Sequence, residues 1–238
     1  MQIRRVVIAY AIVAAIVAGL TACASQSGVQ RPIQGASAGG PAAASIARAA
    51  MPNVAPTPIP LVPGMSIGVN TFPDGDTQSG GQGQTVDHLL GCHKYMSEIF
   101  HIHVHLSIFD PNGTQIMVPW AVGIVPPWTF NQNGDQVVGG TCFYNLHTHD
   151  RSGVIHDESK TDLGLTLGNF FDVWGEPLST TNVAGYSGTV WVKIITPTQT
   201  GKWTTTIDPR SILLTEHEQI SLAIGKPVIP VPKYHFTY

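Results

Sequence analysis

Histidine is the residue type whose spacing in this chain carries chemistry. His101, His103 and His105 occupy every second position of one segment, His147 and His149 alternate in another, and His156 follows shortly after. Imidazoles at i and i+2 of an extended strand leave the same face with Cα atoms about 6.6 Å apart. That spacing lets two rings converge on one cation at nitrogen–metal distances of about 2.0–2.1 Å. The outer pair, His101 and His105, lies about 13 Å apart on such a strand, so the triplet offers any one ion two ligands at most.

The expected arrangement sets the two histidine segments side by side, with His103 and its neighbours facing His147, His149 and His156. One ion with three or four histidines follows, or two ions if all six are used. Asp150, Asp157 and Glu158 are near in sequence and can orient imidazoles, ligate or act as general base; Asp150 and Glu158 are the candidates for catalysis. Imidazole donors without thiolate suit Zn²⁺, Cu²⁺ or Ni²⁺ better than Cu⁺, so copper or zinc is the expected ion. A thioether from Met96 or Met117 would shift the balance toward Cu⁺. The competing reading is a polar strand face turned to solvent, and His88, His93, His217 and His235 are assigned such ordinary structural roles.

Elements able to position these groups are mostly strands. Ile102, Val104, Leu106 and Ile108 alternate with the triplet, which predicts a strand with one apolar face, turned by Asp110-Pro111-Asn112-Gly113 into a return over 115–119. A second hairpin is expected from 142–149 and 154–158, a third from 191–195 and 203–207, and further strands within 212–224 and 65–70. One helix is expected at Thr166 to Gly175: Thr166 can cap it, Leu167, Phe170, Phe171 and Trp174 share a stripe, and Gly175 can end it. Residues 86–100 fit either a short helix or a loop. The fold class expected is mainly β, a single antiparallel β-sandwich or barrel-like domain with one or two short helices, after a disordered N-terminal tether.

The ends and the composition bound the setting. Arg4 and Arg5, the apolar run Val6 to Leu20 and then Thr21-Ala22-Cys23 describe a secretory leader over residues 1–23. Residues 24–63 are rich in Ala, Ser, Gly and Pro and read as a flexible linker, leaving 64–238 as the histidine-rich β domain. All fifteen acidic residues but only eight of the twelve basic ones lie beyond Pro63, a formal charge of −7 that disfavours nucleic acid and favours cations. Cys92 and Cys142 read first as a disulfide in an oxidising compartment, with a thiolate metal ligand as the rival.

Two resemblances add to this reading. Leu20-Thr21-Ala22-Cys23 resembles the lipobox of bacterial lipoproteins, which implies acylation of Cys23, an extracytoplasmic location on a lipid anchor, and the outer membrane if the source is Gram-negative, since Ala24 follows the cysteine. The series His101-Ile102-His103-Val104-His105-Leu106, Leu146-His147-Thr148-His149-Asp150, Gly153-Val154-Ile155-His156 and Leu167-Gly168-Asn169-Phe170-Phe171-Asp172-Val173-Trp174-Gly175 is similar to an uncharacterised family of exported prokaryotic proteins, and implies that the histidines belong together. Locally, His101 to His105 is also similar to the copper-ligand strand of copper–zinc superoxide dismutases, but the later zinc-ligand stretch of that family is missing. The leading expectation is a membrane-anchored metal-binding lipoprotein whose partners are a metal ion and the membrane. The alternatives are a hydrolytic or redox metalloenzyme and a structural or ligand-binding β domain without metal.

Overall fold

The computed structural model describes residues 57–75, 77–97 and 99–237. The leader, Cys23 and the linker up to residue 56 lie outside the described residues. In chain order the elements are β1 (Ile59–Leu61), β2 (Cys92–His93), β3 (Phe100–Phe109), β4 (Gln115–Ile116), β5 (Ile124–Val125), β6 (Thr129–Phe130), β7 (Val137–Gly139), β8 (Cys142–Tyr144), β9 (Leu146–His147) and β10 (Val154–Ser159). Helix α1 (Leu167–Trp174) follows, then β11 (Asn182–Val183), β12 (Tyr186–Ser187), β13 (Val190–Ile195), β14 (Gln219–Ile224) and β15 (Tyr234–Phe236).

The mainly β expectation holds. The principal sheet runs β13-β14-β3-β10-β9, with β4 also paired to β3, and the long β3 is its axis. Strict alternation gives that sheet two different faces. Val104, Leu106 and Ile108 of β3, Ile155 of β10, Ile220 and Leu222 of β14 and Val192 of β13 join one buried cluster with Leu167, Phe170, Phe171 and Trp174 of α1. Helix α1 has the expected bounds. The Thr166 side chain accepts from the Asn169 N–H while Asn169 answers back to the Thr166 N–H, and Gly175 closes the helix at φ 82°.

Two features depart from the alternation-based expectation. β14 pairs with β3 in parallel, and so does β1 with β15, so the sheet is mixed rather than antiparallel. A period of two marks a strand without marking the direction of its neighbour. Residues assigned to the linker also extend too far: Ile59, Pro60 and Leu61 register with Tyr234, His235 and Phe236, and Leu61 is fully buried. The hairpin at Asp110 forms as expected, its carboxylate accepting the Asn112 and Thr114 N–H groups. Of the third hairpin the described residues show the bridges Val192 to Thr204 and Ile195 to Thr200 on the edge of β13 away from β14, and the one-residue shift of register between them interrupts a continuous ladder. Residues 65–70 contribute single bridges rather than a strand, and the described residues of 86–100 hold turns, β2 and the first residue of β3, with no helix among them.

Cys92 and Cys142 form a disulfide, which overturns the thiolate-ligand alternative. Among the described residues no helix is long and apolar enough to cross a membrane.

Candidate metal centre

The second face of the principal sheet carries the histidines. Antiparallel pairing sets His103 of β3 opposite His156 of β10, and His101 opposite Glu158; His156 in turn faces His147 of β9. Paired residues project to the same side. A row His103–His156–His147 therefore crosses three strands, with His101 and Glu158 in the row beside it. His149, two residues past His147, is held by Val137 of β7, whose N–H donates to the His149 carbonyl at 2.8 Å.

Two imidazoles in this cluster have their tautomers set by the backbone. His147 Nδ1 lies 2.9 Å from the Tyr144 carbonyl oxygen and His149 Nδ1 lies 2.6 Å from that of Val137. A carbonyl can only accept, so each Nδ1 carries the proton and each Nε2 presents a lone pair. Those two Nε2 atoms face one another at 3.2 Å. Facing lone pairs at that distance repel unless a cation lies between them: a shared proton in the metal-free protein, or a metal ion.

Glu158 completes the group. Its Oε1 is 3.6 Å from His147 Nε2, 3.7 Å from His156 Nδ1 and 3.3 Å from His101 Nε2. A tetrahedral ion with bonds of about 2.0–2.1 Å separates its donor atoms by about 3.3–3.4 Å. The spacings 3.2, 3.6 and 3.7 Å thus lie within a few tenths of the edges of such a polyhedron. Glu158 Oε2 is buried with no hydrogen-bond partner, an arrangement that costs free energy until a cation compensates it. His147, His149, His156 and Glu158 all offer donor atoms within 4.8 Å of one another, and so, as a second set, do His101, His103 and His156.

Electrostatics keeps these donors available. Burial pushes His103 and His149 down to about 4, aided by His101 beside the first and His147 beside the second, and burial holds His156 well below its ordinary value. Burial alone would raise Glu158, but the neighbouring His147, His156 and His101 side chains hold its carboxyl well below the usual carboxylate range. Burial thus favours the neutral forms of His103, His149 and His156 beside the Glu158 carboxylate.

Protons compete with a metal for the imidazole lone pairs. Within the four-residue centre, His149, lowered to about 4, and His156, held well below its ordinary value, resist that competition far below the ordinary histidine value of about 6.5. The unfolded chain takes up those protons from about 6.5 downward, so the metal-free fold loses this part of its stability as pH falls toward 4. Asp157, raised to about 7 by burial and then by Asp162, acts in the opposite direction. Taking the difference in melting temperature between metal-loaded and metal-free protein at each pH cancels its contribution. That difference should persist at pH 5 and vanish near pH 4; a loss centred at pH 6 to 6.5 would show that the ligand pKa values are ordinary.

Other expected site residues lie elsewhere. His105 belongs to neither set: its Nε2 is 2.9 Å from the Ser152 carbonyl oxygen, its ring stacks on Tyr234 at 3.9 Å, and it is 1 % exposed. The strand ladder explains why, since β1, β15 and Val154 form an apolar cluster at that end of β3 while His101 remains exposed at the other. Asp150 accepts hydrogen bonds from the Gly64 N–H and from the Ser152 N–H and hydroxyl, which makes it a turn buttress. Asp157 pairs with Ile102 and Leu146 in register and so projects to the core face, away from the histidines. Conversely, His217, assigned an ordinary structural role from sequence, forms a third set with His103 and Glu216, which the sequence did not single out.

Beside the centre opens a cleft of about 550 Å³ bordered by His147 and Glu158, with Tyr95, Phe143, Lys94 and Lys160 among its other walls. Comparison with protein-family models, curated proteins and solved structures finds no match. The resemblance to a family of exported proteins thus rests on the motifs alone.

Proposed function

We propose that this protein is a membrane-anchored, extracytoplasmic metal-binding lipoprotein that holds zinc or copper in a site made by His147, His149, His156 and Glu158. The observation that carries the reading is the pair of backbone-fixed tautomers whose Nε2 lone pairs meet at 3.2 Å beside a buried carboxylate. Three imidazoles and one carboxylate form a borderline donor set suited to Zn²⁺ and Cu²⁺. The disulfide and the leader motif support a location outside the cytoplasm, with Cys23 as the anchor. The test is metal analysis of protein purified without added metal, followed by titration of the chelator-stripped protein. Uptake of about one equivalent of Zn²⁺ or Cu²⁺, with a higher melting temperature, is the expected result. An unchanged melting temperature with both ions at saturating concentration would defeat it.

A second reading, a metalloenzyme, is favoured by one feature, the cleft that reaches His147 and Glu158. A bound ion with an open position there would lower the pKa of its water to about 7. Metal-dependent turnover of a chromogenic ester, lost in Glu158→Gln, would select this reading over a holding role.

A further inference from the structure

We infer that the metal reaches the buried centre along three overlapping ligand sets that begin at the surface with Glu216 and His217, an inference that rests on the metal-binding reading. The outermost set is His103, Glu216 and His217; the middle one is His101, His103 and His156; the innermost is His147, His149, His156 and Glu158. Within each, the donor atoms lie within 4.8 Å of one another. His103 belongs to the first two sets and His156 to the last two. An ion stepping inward can therefore exchange some ligands while keeping one, and is never returned to water between steps.

Exposure falls along the same direction. The Glu216 and His217 side chains are 44 % and 40 % exposed and that of His101 is 32 % exposed, His103 is half-buried, and His147 is fully buried. Moving a hydrated divalent ion directly into a buried site is costly, because its hydration must be given up before new donors replace it. Stepwise replacement lowers that barrier.

The outer set is built, not incidental. β14 runs parallel to β3 with Gln219 opposite His105, which brings the residues just before β14 alongside His103. The His217 N–H donates to the His103 carbonyl at 2.8 Å, and Glu216 Oε2 accepts the His103 N–H at 3.1 Å. Glu216 Oε1 sits 2.7 Å from His217 Nε2, and the His217 ring stacks on Phe236 at 4.6 Å. His217 holds φ at 57°, the left-handed region that few residues other than glycine enter. The backbone is thus committed to presenting this imidazole beside His103.

The experiment follows uptake of Zn²⁺ by the stripped full chain with an indicator for free Zn²⁺, and extraction of Zn²⁺ from the loaded chain by a chelator. Glu216→Gln and His217→Asn are compared with the wild type; asparagine tolerates the same left-handed backbone. Both variants are expected to load and to release about tenfold more slowly, by the same factor, while binding the same amount at equilibrium. Altering a path without altering its end state changes both rates equally. Wild-type rates in both variants would overturn the relay, and so would a fall in the amount bound, which would make the outer set part of the holding site. If the wild type takes up no Zn²⁺ the metal-binding reading itself fails, whereas a failure confined to the variants' rates removes the relay alone.

Discussion

Replacing His147 with alanine is expected to abolish the rise in melting temperature that Zn²⁺ or Cu²⁺ gives the wild type, whereas His105→Ala should leave that rise in place. At a free metal concentration a thousandfold above Kd, binding contributes about 4.1 kcal/mol. For a domain of this size each kcal/mol corresponds to about 2–4 °C, so the wild-type rise should be roughly 10 °C. His147 is the donor on which the centre turns: its Nε2 lies 3.2 Å from His149 and 3.6 Å from Glu158, and its Nδ1 is held by the Tyr144 carbonyl. Its loss removes one ligand and leaves Glu158 without the imidazole that stabilises its charge, so the metal-free variant should also melt earlier. The quantity to compare is therefore the difference with and without metal, measured for each protein. His105→Ala will destabilise the fold by emptying a buried site, yet its increment should survive because that ring is engaged by Ser152 and Tyr234. Equal loss of the increment in both variants would mean that the four-residue centre is wrongly drawn.

The contrast between these two histidines shows what sequence can convey. Alternation places His101, His103 and His105 on one face and apolar partners on the other, and the structure bears this out, since side-chain direction in a strand is a local property. The helix was equally legible, because its cap residues and apolar stripe all lie within ten positions. Which member of the triplet stands apart is not local. It depends on β1 and β15, which converge from distant parts of the chain to cover one end of β3, and β1 lies in a stretch whose composition resembles linker. Glu216 and His217 were missed for the same reason. Glu216 meets His103 across a sequence separation of 113 residues through a parallel pairing, and the strands expected within 212–224 do not announce which neighbour they take. Choosing among three nearby carboxylates likewise required register: Glu158 faces His101 while Asp157, one residue earlier, faces the core.

The disulfide couples the fold to the centre, and removing it should cost nearly as much as losing the metal. Cys92 and Cys142 are separated by 50 residues, and a loop of that length corresponds to about 4 kcal/mol of loop-closure entropy imposed on the unfolded chain. Set against a typical total of about 5–15 kcal/mol, the double variant Cys92→Ser, Cys142→Ser should melt roughly 10 °C lower than the wild type, both free of metal. Serines are preferable to a reductant here, because free thiolates would themselves bind Zn²⁺. A local effect is expected as well. The bridge clasps β2 to β8, whose last residue, Tyr144, supplies the carbonyl that fixes the His147 tautomer. Loosening that carbonyl lets the imidazole place its proton on either nitrogen, so part of the metal's binding energy must go into reordering the ring before it can ligate. The Zn²⁺-dependent increment should therefore shrink in the variant in addition to the lower starting point. A variant that melts earlier but keeps the full increment would show that the disulfide braces the sheet alone, and that Tyr144 holds His147 without its help.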